Sequence, residues 1–469
     1  MNFNRKLLFQ YIYSDIIASL IVWFVFILFR KFINDIELIY FLGVLLPTKY
    51  YLYSMIVFPA YCLMINALAG FYLNVLKKNK IDIFLSTLIT SFLIATTLFF
   101  GLRINDVAIS SQYFYYSLLT LFALLFVVSY LLRVIIFNKV QLNFETKKWT
   151  SNTIIIGDGS NAKKIAKDIE KHGKQFNFVG FVSILKRAST SDDSDNLGVL
   201  YDIDTIIKNH NIKEIIVALD DDAREQDLFK IINQLYTYDV EIRFTPRLYE
   251  ILTGSARISS IGINPLVSIT QLNMPDWQIS VKRVLDVVVS LVSLILLSPL
   301  FIYFAIKIKY DSKGPVFFRQ ERIGRSGKPF NMIKFRTMYI NSENGRPKLS
   351  SAFDERITPF GRILRKYRFD ELPQFWNVLI GDMSLVGPRP ERKFFIDQIV
   401  KEAPYYCLLY KIRPGLTSWG PIKIGYADTI DKMIERLNYD IIYIENMSLF
   451  NDLKILLLTV EILFKGKGM

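Results

Sequence analysis

Four long apolar runs follow one another at the start of this 469-residue chain. Residues 7–29 form the first, interrupted only by Asp15. The second runs from Tyr50 to Leu76 without a charge, the third from Ile83 to Leu102, and the fourth from Val107 to Leu132. Each reaches or exceeds the roughly 20 residues that a helix needs to cross a bilayer. Four in succession leave little room for a soluble core of buried helices. A 52% hydrophobic composition agrees. Loop charges give an orientation. Arg5 and Lys6 precede the first run; Lys77, Lys78 and Lys80 separate the second from the third; Arg133 and Lys139 follow the fourth. The third loop carries only Arg103 beside Asp106, and the first is mixed, with Arg30, Lys31 and Lys49 against Asp35 and Glu37. The balance of cations predicts that both ends of this region, residues 1–145, face the cytoplasm. No cleavable leader is expected, because the first run lacks a small-residue cleavage site.

The formal net charge is +14. Such a chain suits nucleic acid, anionic lipid or phosphorylated substrates; membrane spans favour lipid headgroups and phosphates, and no nucleic-acid partner is expected. The two cysteines, Cys62 and Cys407, make no disulfide framework or thiolate metal site. His172 and His210 stand among polar residues and read as surface.

From about residue 150 the texture becomes α/β. Thr153–Ile156 reads as a buried strand, followed by Gly157-Asp-Gly-Ser-Asn-Ala162 and a helix to about Lys171. This is a G-x-G-x-x-A turn of Rossmann type. Phe178–Val182 and Glu214–Leu219 read as further strands. No acidic residue ends the second strand to take a ribose, so residues 146–270 are expected to be a degenerate nucleotide-binding fold. Asp220-Asp-Asp222 has the form of a D-x-D metal motif, but after a strand and before a helix it is more simply an N-cap cluster.

Residues 271–281, with Met274, Trp277 and Ile279, read as a linker at the membrane surface. Val284–Ile306 is then apolar except for Asp286 and is broken by Ser298 and Pro299. Proline removes a helix hydrogen bond and kinks the chain, and a Ser hydroxyl can satisfy the freed carbonyl. Lys282 and Arg283 before the segment and Lys307 and Lys309 after it predict a hairpin over 284–306 that enters and leaves on one face. An ordinary kinked span is the alternative. Pro315–Gln320 and Phe330–Met338 read as extended segments around a Gly324/Gly327 turn, and residues 429–464 as amphipathic helices.

The densest chemistry lies between Arg356 and Pro390. Asp370 and Glu371 are adjacent carboxylates, preceded by Arg356, Arg362, Arg365, Lys366 and Arg368. Asp370 reads as a helix N-cap with Glu371 and Pro373 in the first turn. A helix start favours anions. Adjacent helical residues do not face each other, so distinct roles are expected for the two acids: one to attack phosphorus, the other to orient it or help hold a metal. The plainer reading is that Asp, Glu and then Pro is a good helix start. Arg389, fixed between Pro388 and Pro390, is a rigidly placed guanidinium or a structural turn.

The motifs together resemble a family. Gln320-x-Arg322, Gly324-x-x-Gly327, Lys334-Phe-Arg-Thr-Met338, Arg356-x-Thr-x-x-Gly361, Arg365, Asp370-Glu-Leu-Pro-Gln374, Asn377-Val-Leu-x-Gly-Asp-Met-Ser-Leu-Val-Gly-Pro-Arg-Pro390 and Arg413-Pro-Gly415 occur in one order over about the last 190 residues. They resemble the bacterial sugar transferases, the polyprenyl-phosphate glycosyl-1-phosphate transferases, in their large form. One departure is Ser418-Trp-Gly-Pro-Ile-Lys-Ile-Gly425, where the family often reads Gly-Trp-Ala-Gln-Val-Asn-Gly; it bears on sugar choice more than on chemistry.

The resemblance implies a membrane protein of three parts. These are an N-terminal four-helix transmembrane bundle, an α/β Rossmann-like middle domain, and a mostly α monotopic catalytic domain, residues 271–469, with a re-entrant hairpin. It implies transfer of a sugar-1-phosphate from a UDP-sugar to undecaprenyl phosphate, with UMP leaving and Mg²⁺ neutralising the diphosphate. Asp370 would be the nucleophile, Glu371 would orient the site, and Arg365 would hold the phosphate. Asp370 and Glu371 are the metal candidates. Lys334, Arg336, Arg356, Pro388, Arg389, Pro390 and Arg413 are the substrate-binding candidates. The implied setting is the bacterial inner membrane, multi-pass, with the catalytic domain on the cytoplasmic face among membrane lipids, and a homodimer is compatible with it. Two other classes remain open. A membrane-bound nucleotide-sugar dehydratase or epimerase would need a Tyr-x-x-x-Lys pair beside NAD, for which Tyr303 and Lys307 are the only match noticed. A non-catalytic scaffold of a polysaccharide export complex would not need Asp370.

Overall fold

The apolar runs fold as helices, as a backbone in hydrocarbon must satisfy its own hydrogen bonds. In a computed structural model of the chain the described residues are 3–33, 49–105, 111–146, 149–157, 159–172, 176–184, 195–219, 225–236, 238, 240–244, 267–268, 272–340, 354–425, 427 and 429–464. They form two units: residues 1–148 with 275–284, and residues 149–274 with 285–469. Asp220, Asp221 and Asp222 lie outside the described residues.

The first unit holds α1 (Phe3–Ile33), α2 (Lys49–Leu68), α3 (Lys80–Asn105) and α4 (Ser111–Glu145). Among the described residues, three segments are long and apolar enough to cross a membrane: Arg5–Phe29, Lys80–Phe100 and Tyr115–Glu145. The second expected span is shorter than its apolar run. α2 stops at Leu68, not near Leu76, because Gly70 takes φ 74° and the N–H groups of Gly70 and Phe71 turn back to the carbonyls of Ala67 and Asn66, both at 3.0 Å.

One polar cluster joins all four helices. Arg133 of α4 donates to both oxygens of Asp15 of α1, at 2.9 and 2.8 Å, and to Thr87 of α3 at 2.9 Å. Tyr72, just after α2, donates to Asp15 at 2.8 Å, and Asn66 of α2 does so at 3.4 Å. The Arg133 guanidinium lies 3.7 Å from the centroid of the Phe71 ring. The single charge that interrupts the first apolar run is therefore a buried, paired charge, the form in which a carboxylate is tolerated away from water.

In the second unit, β1 (Ser151–Ile156), β2 (Phe176–Ser183), β3 (Asn196–Val199), β4 (Glu214–Val217), β5 (Glu241–Phe244) and β6 (Val267–Ser268) form one sheet in the order β3-β2-β1-β4-β5-β6. The first five are parallel, and β6 closes the edge antiparallel to β5. Ile154 and Ile156 pack into a cluster on one face with Ile215 and Val217, while Ile155 and Ile216 pack on the other with Ile165 of α5 (Ser160–His172). Burial on both faces explains why these strands read as unbroken apolar runs. α6 (Ile203–Asn209) and α7 (Glu225–Leu235) complete the layer.

The C-terminal elements begin with α8 (Asp276–Leu296) and α9 (Ser298–Asp311), bent by 60° at the break. This bent pair is longer than the expected segment 284–306. Trp277 and Ile279, expected in a linker, belong to α8, which starts directly after Pro275 with Asp276 in its first turn, a favourable N-terminal pattern. Ser298 Oγ donates to the Ile295 carbonyl at 2.8 Å, compensating the break, and Pro299 sits in the first turn of α9. Asp286, the acid within the apolar stretch of α8, accepts from the Leu385 N–H at 2.9 Å. β7 (Phe317–Ile323) and β8 (Pro329–Phe335) pair antiparallel around the Gly324/Gly327 turn. Phe304 and Ile308 of α9 pack with Phe335 of β8 and Leu364 of α10 (Pro359–Lys366). Then follow α11 (Gln374–Ile380), β9 (Ser384–Val386), α12 (Lys393–Glu402), a 3₁₀ segment Pro404–Lys411, β10 (Gly415–Thr417), α13 (Trp419–Ile424), α14 (Ile430–Glu445) and α15 (Leu449–Phe464). The 3₁₀ segment shares a core with the Rossmann-like sheet: Cys407 packs with Ile231, Leu235 and Tyr236.

Arg133→Met should destabilise the first unit by about 3–5 kcal/mol, because it strands Asp15 in an apolar setting. The double variant Asp15→Asn/Arg133→Met should recover most of that loss. Thermal unfolding in detergent reads both; a single variant as stable as wild type would show that the pair does not tie the bundle.

Candidate active site

Two backbone features build the site. The first is the turn out of α10. Thr358 caps this helix by accepting from the Gly361 N–H at 3.1 Å. Arg365 and Lys366 lie in its last turn, where cations suit the helix dipole. Arg368 then takes a left-handed conformation, φ 57°, and Phe369–Glu371 form a 3₁₀ turn. Asp370 is therefore not the helix N-cap expected from the sequence. Pro373 holds that place, and α11 starts at Gln374. The left-handed Arg368 spends the chain reversal one turn early and turns both carboxylates inward, where both are buried.

The second feature is the Pro-Arg-Pro turn. β9 and β10 run parallel, pairing Ser384 with Gly415 and Val386 with Thr417. Gly415 donates to the Pro388 carbonyl at 2.9 Å, and Gly387 donates to Thr417 at 3.0 Å. A Cβ on Gly415 would lie 2.1 Å from the Gly387 nitrogen, so only paired glycines allow the strands this approach. Arg389 emerges from the turn towards Glu371.

Glu371 is the electrostatic centre. Its Oε1 accepts from Lys334 of β8 at 2.7 Å and from Arg389 at 3.0 Å, and Arg368 lies 3.9 Å from Oε2. Burial by itself would raise its carboxyl, but Lys334, Arg389 and Arg368 outweigh that and hold it well below the usual carboxylate range. Asp370 differs. Burial, reinforced by the Glu371 charge, pushes its carboxyl up to about 6 against the pull of Lys334, Arg365 and Arg389. Among the described residues no side chain or backbone group donates a hydrogen bond to the Asp370 carboxylate. Four cations, Lys334, Arg365, Arg368 and Arg389, thus surround two acids. With both acids ionised the cluster keeps a positive excess that suits a diphosphate.

The other expected residues are placed elsewhere. Arg336 donates to the carbonyls of Ser312 at 2.6 Å, Lys313 at 2.8 Å and Ile308 at 3.4 Å, so its guanidinium is occupied by the C-terminal end of α9. Arg356 donates to both oxygens of Asp354, at 2.8 and 3.0 Å from Nε. Arg413 donates to the Gly381 carbonyl at 2.8 Å, closing α11 where Gly381 takes φ 97°. These three hold the frame of the site. Pro388 and Pro390 act through their carbonyls, which accept from Gly415 and from Arg322, the latter at 3.1 Å. Tyr303 and Lys307 lie on α9. Sequence reasoning passed over Asn377, which accepts from the Ile333 N–H at 3.0 Å and donates to the Asn331 carbonyl at 2.8 Å. It fixes α11 against β8 and so sets Lys334 beside Glu371. Its signals were its place at the head of the Asn377–Pro390 motif and its polarity on a mostly apolar helix.

Among the described residues no three His, Cys, Asp or Glu side chains gather as a metal cluster. Mg²⁺ commonly takes one or two protein carboxylates and completes its shell with phosphate and water oxygens. Asp370 and the Oε2 of Glu371 fit that donor set, since Oε1 of Glu371 is already held by two cations.

Residues 277–466 match the family model described as bacterial sugar transferase, and residues 68–246 match one described as a CoA-binding domain. A UDP-glucose:undecaprenyl-phosphate glucose-1-phosphate transferase of Caulobacter vibrioides is 44% identical over 181 residues, covering 38% of this chain and 68% of that protein. The chain belongs to the bacterial sugar transferase family. Two further relatives of this sugar transferase extend the likeness. A UDP-N-acetylgalactosamine-undecaprenyl-phosphate N-acetylgalactosaminephosphotransferase of Aeromonas hydrophila is 35% identical over 54% of this chain and 59% of its own length. A UDP-glucose:undecaprenyl-phosphate glucose-1-phosphate transferase of Klebsiella pneumoniae is 35% identical over 57% of each chain. The matched stretch thus spans somewhat over half of these two proteins.

The two acids should affect stability in opposite senses. Asp370 holds its proton more tightly folded than unfolded, about 6 against 3.8. Its contribution is present in full below the unfolded value and is lost as pH rises through about 6. Asp370→Asn should therefore melt no lower than wild type at pH 7.5. Glu371→Gln, which strands Lys334 and Arg389, should melt several degrees lower. Melting curves across pH 4–8 check both, and a large loss for Asp370→Asn would contradict the assignment.

Proposed function

We propose that this protein transfers a sugar-1-phosphate from a UDP-sugar to a polyprenyl phosphate, taken as undecaprenyl phosphate. The products are a polyprenyl-diphosphate-sugar and UMP. The observation that carries the reading is the division of labour between the acids. Glu371 is neutralised by Lys334, Arg389 and Arg368, while Asp370 is buried among cations with no described hydrogen-bond donor on its carboxylate. A carboxylate in that state is a competent nucleophile at neutral pH. The names of the relatives supply the donor and acceptor classes.

The reaction is a double displacement. An oxygen of Asp370 attacks the phosphorus that bears the sugar. The bond from that phosphorus to the UMP oxygen breaks, and UMP leaves with the electron pair. Asp370 then carries a phosphosugar as a mixed anhydride. A phosphate oxygen of the polyprenyl phosphate attacks the same phosphorus and frees the Asp370 carboxylate. Arg365 and Lys334 hold the transferred phosphoryl group, and Arg389 faces the diphosphate from the opposite turn. Mg²⁺, held by Asp370 and Glu371, would neutralise the diphosphate. The placement proposed is a multi-pass protein of the bacterial inner membrane with four N-terminal spans. α8 and α9 form a re-entrant hairpin, and the site lies at the cytoplasmic surface, where cytoplasmic UDP-sugars and a lipid-anchored phosphate can meet. The step begins an exopolysaccharide, capsule or O-antigen.

Asp370→Asn should reduce UMP release from a panel of UDP-sugars by at least about 10³-fold, the scale of losing a covalent route. Wild-type protein given donor without lipid should gain the mass of one phosphosugar. An Asp370→Asn protein of wild-type activity would overturn the assignment. Topology has its own test: replacing Ser298 and Pro299 with leucine should straighten α8 and α9 into a crossing helix. A C-terminal tag should then become protease-sensitive in spheroplasts, where the wild-type tag stays protected; cleavage of the wild-type tag there would contradict the hairpin.

A further inference from the structure

One face of α14 grips the Pro-Arg-Pro segment at successive points. Arg436, Asp440 and Tyr443 are spaced i, i+4, i+7 on this helix, so they share one side; all three are buried. Arg436 pairs with Glu391, whose other oxygen takes Arg322 of β7 at 3.0 Å. Asp440 accepts from the backbone N–H of Arg389 at 3.4 Å and from that of Gly420 at 3.2 Å. Tyr443 donates to Asp452 at 2.6 Å, and its hydroxyl lies 3.5 Å from the Val386 carbonyl. The contacts fall in step along both elements: Tyr443 meets Val386, Asp440 meets Arg389, Arg436 meets Glu391. Gly420 belongs to α13, in the segment that directly follows β10.

Asp440 is the member that touches the functional turn itself. A buried carboxylate is costly unless paired or hydrogen-bonded; this one feels the Arg436 charge and accepts from two backbone N–H groups, one from each flank of the site. Arg389 lies in a turn whose neighbours, Pro388 and Pro390, have no N–H to donate. The Arg389 amide is therefore the one backbone donor by which the Pro-Arg-Pro tripeptide can be held. A shift of this amide carries the guanidinium with it, away from Glu371.

We propose that Asp440 is a positioning residue. It registers the Pro-Arg-Pro turn to the Ser418–Gly425 segment through one carboxylate, and so sets how Arg389 meets Glu371 and the donor. This rests on the function proposed above. Asp440 acts through Arg389 and does not touch the reacting atoms. The link also gives residues 418–425 a route to the diphosphate end of the donor.

The test is a double-mutant cycle in the full-length protein, with a chemical readout that needs no activity. Asp440→Ala and Arg389→Met should each lower kcat/KM for the donor, about 10-fold or more. The double variant should be no worse than Arg389→Met alone, since the carboxylate acts only through that side chain. Asp440→Asn, which keeps an acceptor oxygen, should recover part of the loss. In parallel, phenylglyoxal should modify Arg389 faster in Asp440→Ala than in wild type, because a loosened guanidinium leaves Glu371; peptide mass spectrometry reads the site. Additive losses in the cycle would overturn the inference, as would unchanged labelling of Arg389 in a folded Asp440→Ala protein. The labelling result stands even if no UDP-sugar proves to be a donor, which would instead overturn the proposed function.

Discussion

The contact of Glu371 with three cations is what the rest of the catalytic unit depends on. A buried carboxylate is destabilising until paired, and Lys334, Arg368 and Arg389 come from three separate places in the chain. Each needs its own support. Asn377 sets β8 and Lys334; the left-handed turn at Arg368 follows the capped helix α10; the facing glycines 387 and 415 let the Pro-Arg-Pro turn come close. Neutralising Glu371 so thoroughly leaves Asp370 as the acid to which the proposed function gives the attack on phosphorus. Adjacent carboxylates that look equivalent in the sequence are shifted in opposite directions, Glu371 downward by its three cations and Asp370 upward by burial.

Charges elsewhere follow the same rule. Asp15 in the first apolar run meets Arg133 and Tyr72, Arg133 reaching on to Thr87, and Asp286 of α8 accepts the Leu385 N–H. Each acid that interrupts an apolar stretch joins elements distant in sequence. The Rossmann-like sheet has a parallel role. Helix α7 packs on the 3₁₀ segment 404–411, and that segment leads directly into Arg413–Gly415, the strand start that fixes Pro388. The core of the middle domain is thereby continuous with the frame of the site.

Much of this was legible in the sequence. The long apolar runs and the short unbroken apolar strands announce their elements because burial selects apolar residues, and the Gly157 turn marks where the first strand ends. The grouping of Asp370, Glu371, Arg365 and Arg389 as one site was implied by the family resemblance; charge density alone left a plain helix start and a structural turn open. What stayed hidden were partners set by tertiary folding. Nothing local shows that Arg336 serves the carbonyls of α9, that Arg413 closes α11, or that Glu371 collects Lys334 from 37 residues upstream. The second apolar run misled because composition does not show a helix stopping at Leu68; Gly70 was the only cue. The dyad's place in a 3₁₀ turn, one turn before the helix, depended on the left-handed Arg368, which no residue-type preference announces.

The central claim is that Asp370 attacks donor phosphorus before any lipid is involved. Isotope exchange tests it most directly: purified protein is incubated with UDP-sugar and labelled UMP in the absence of polyprenyl phosphate. A covalent phosphosugar on Asp370 predicts label entering the UDP-sugar pool, at a rate lost in Asp370→Asn. A wild-type protein that transfers sugar phosphate to lipid yet shows no exchange without it would contradict the account.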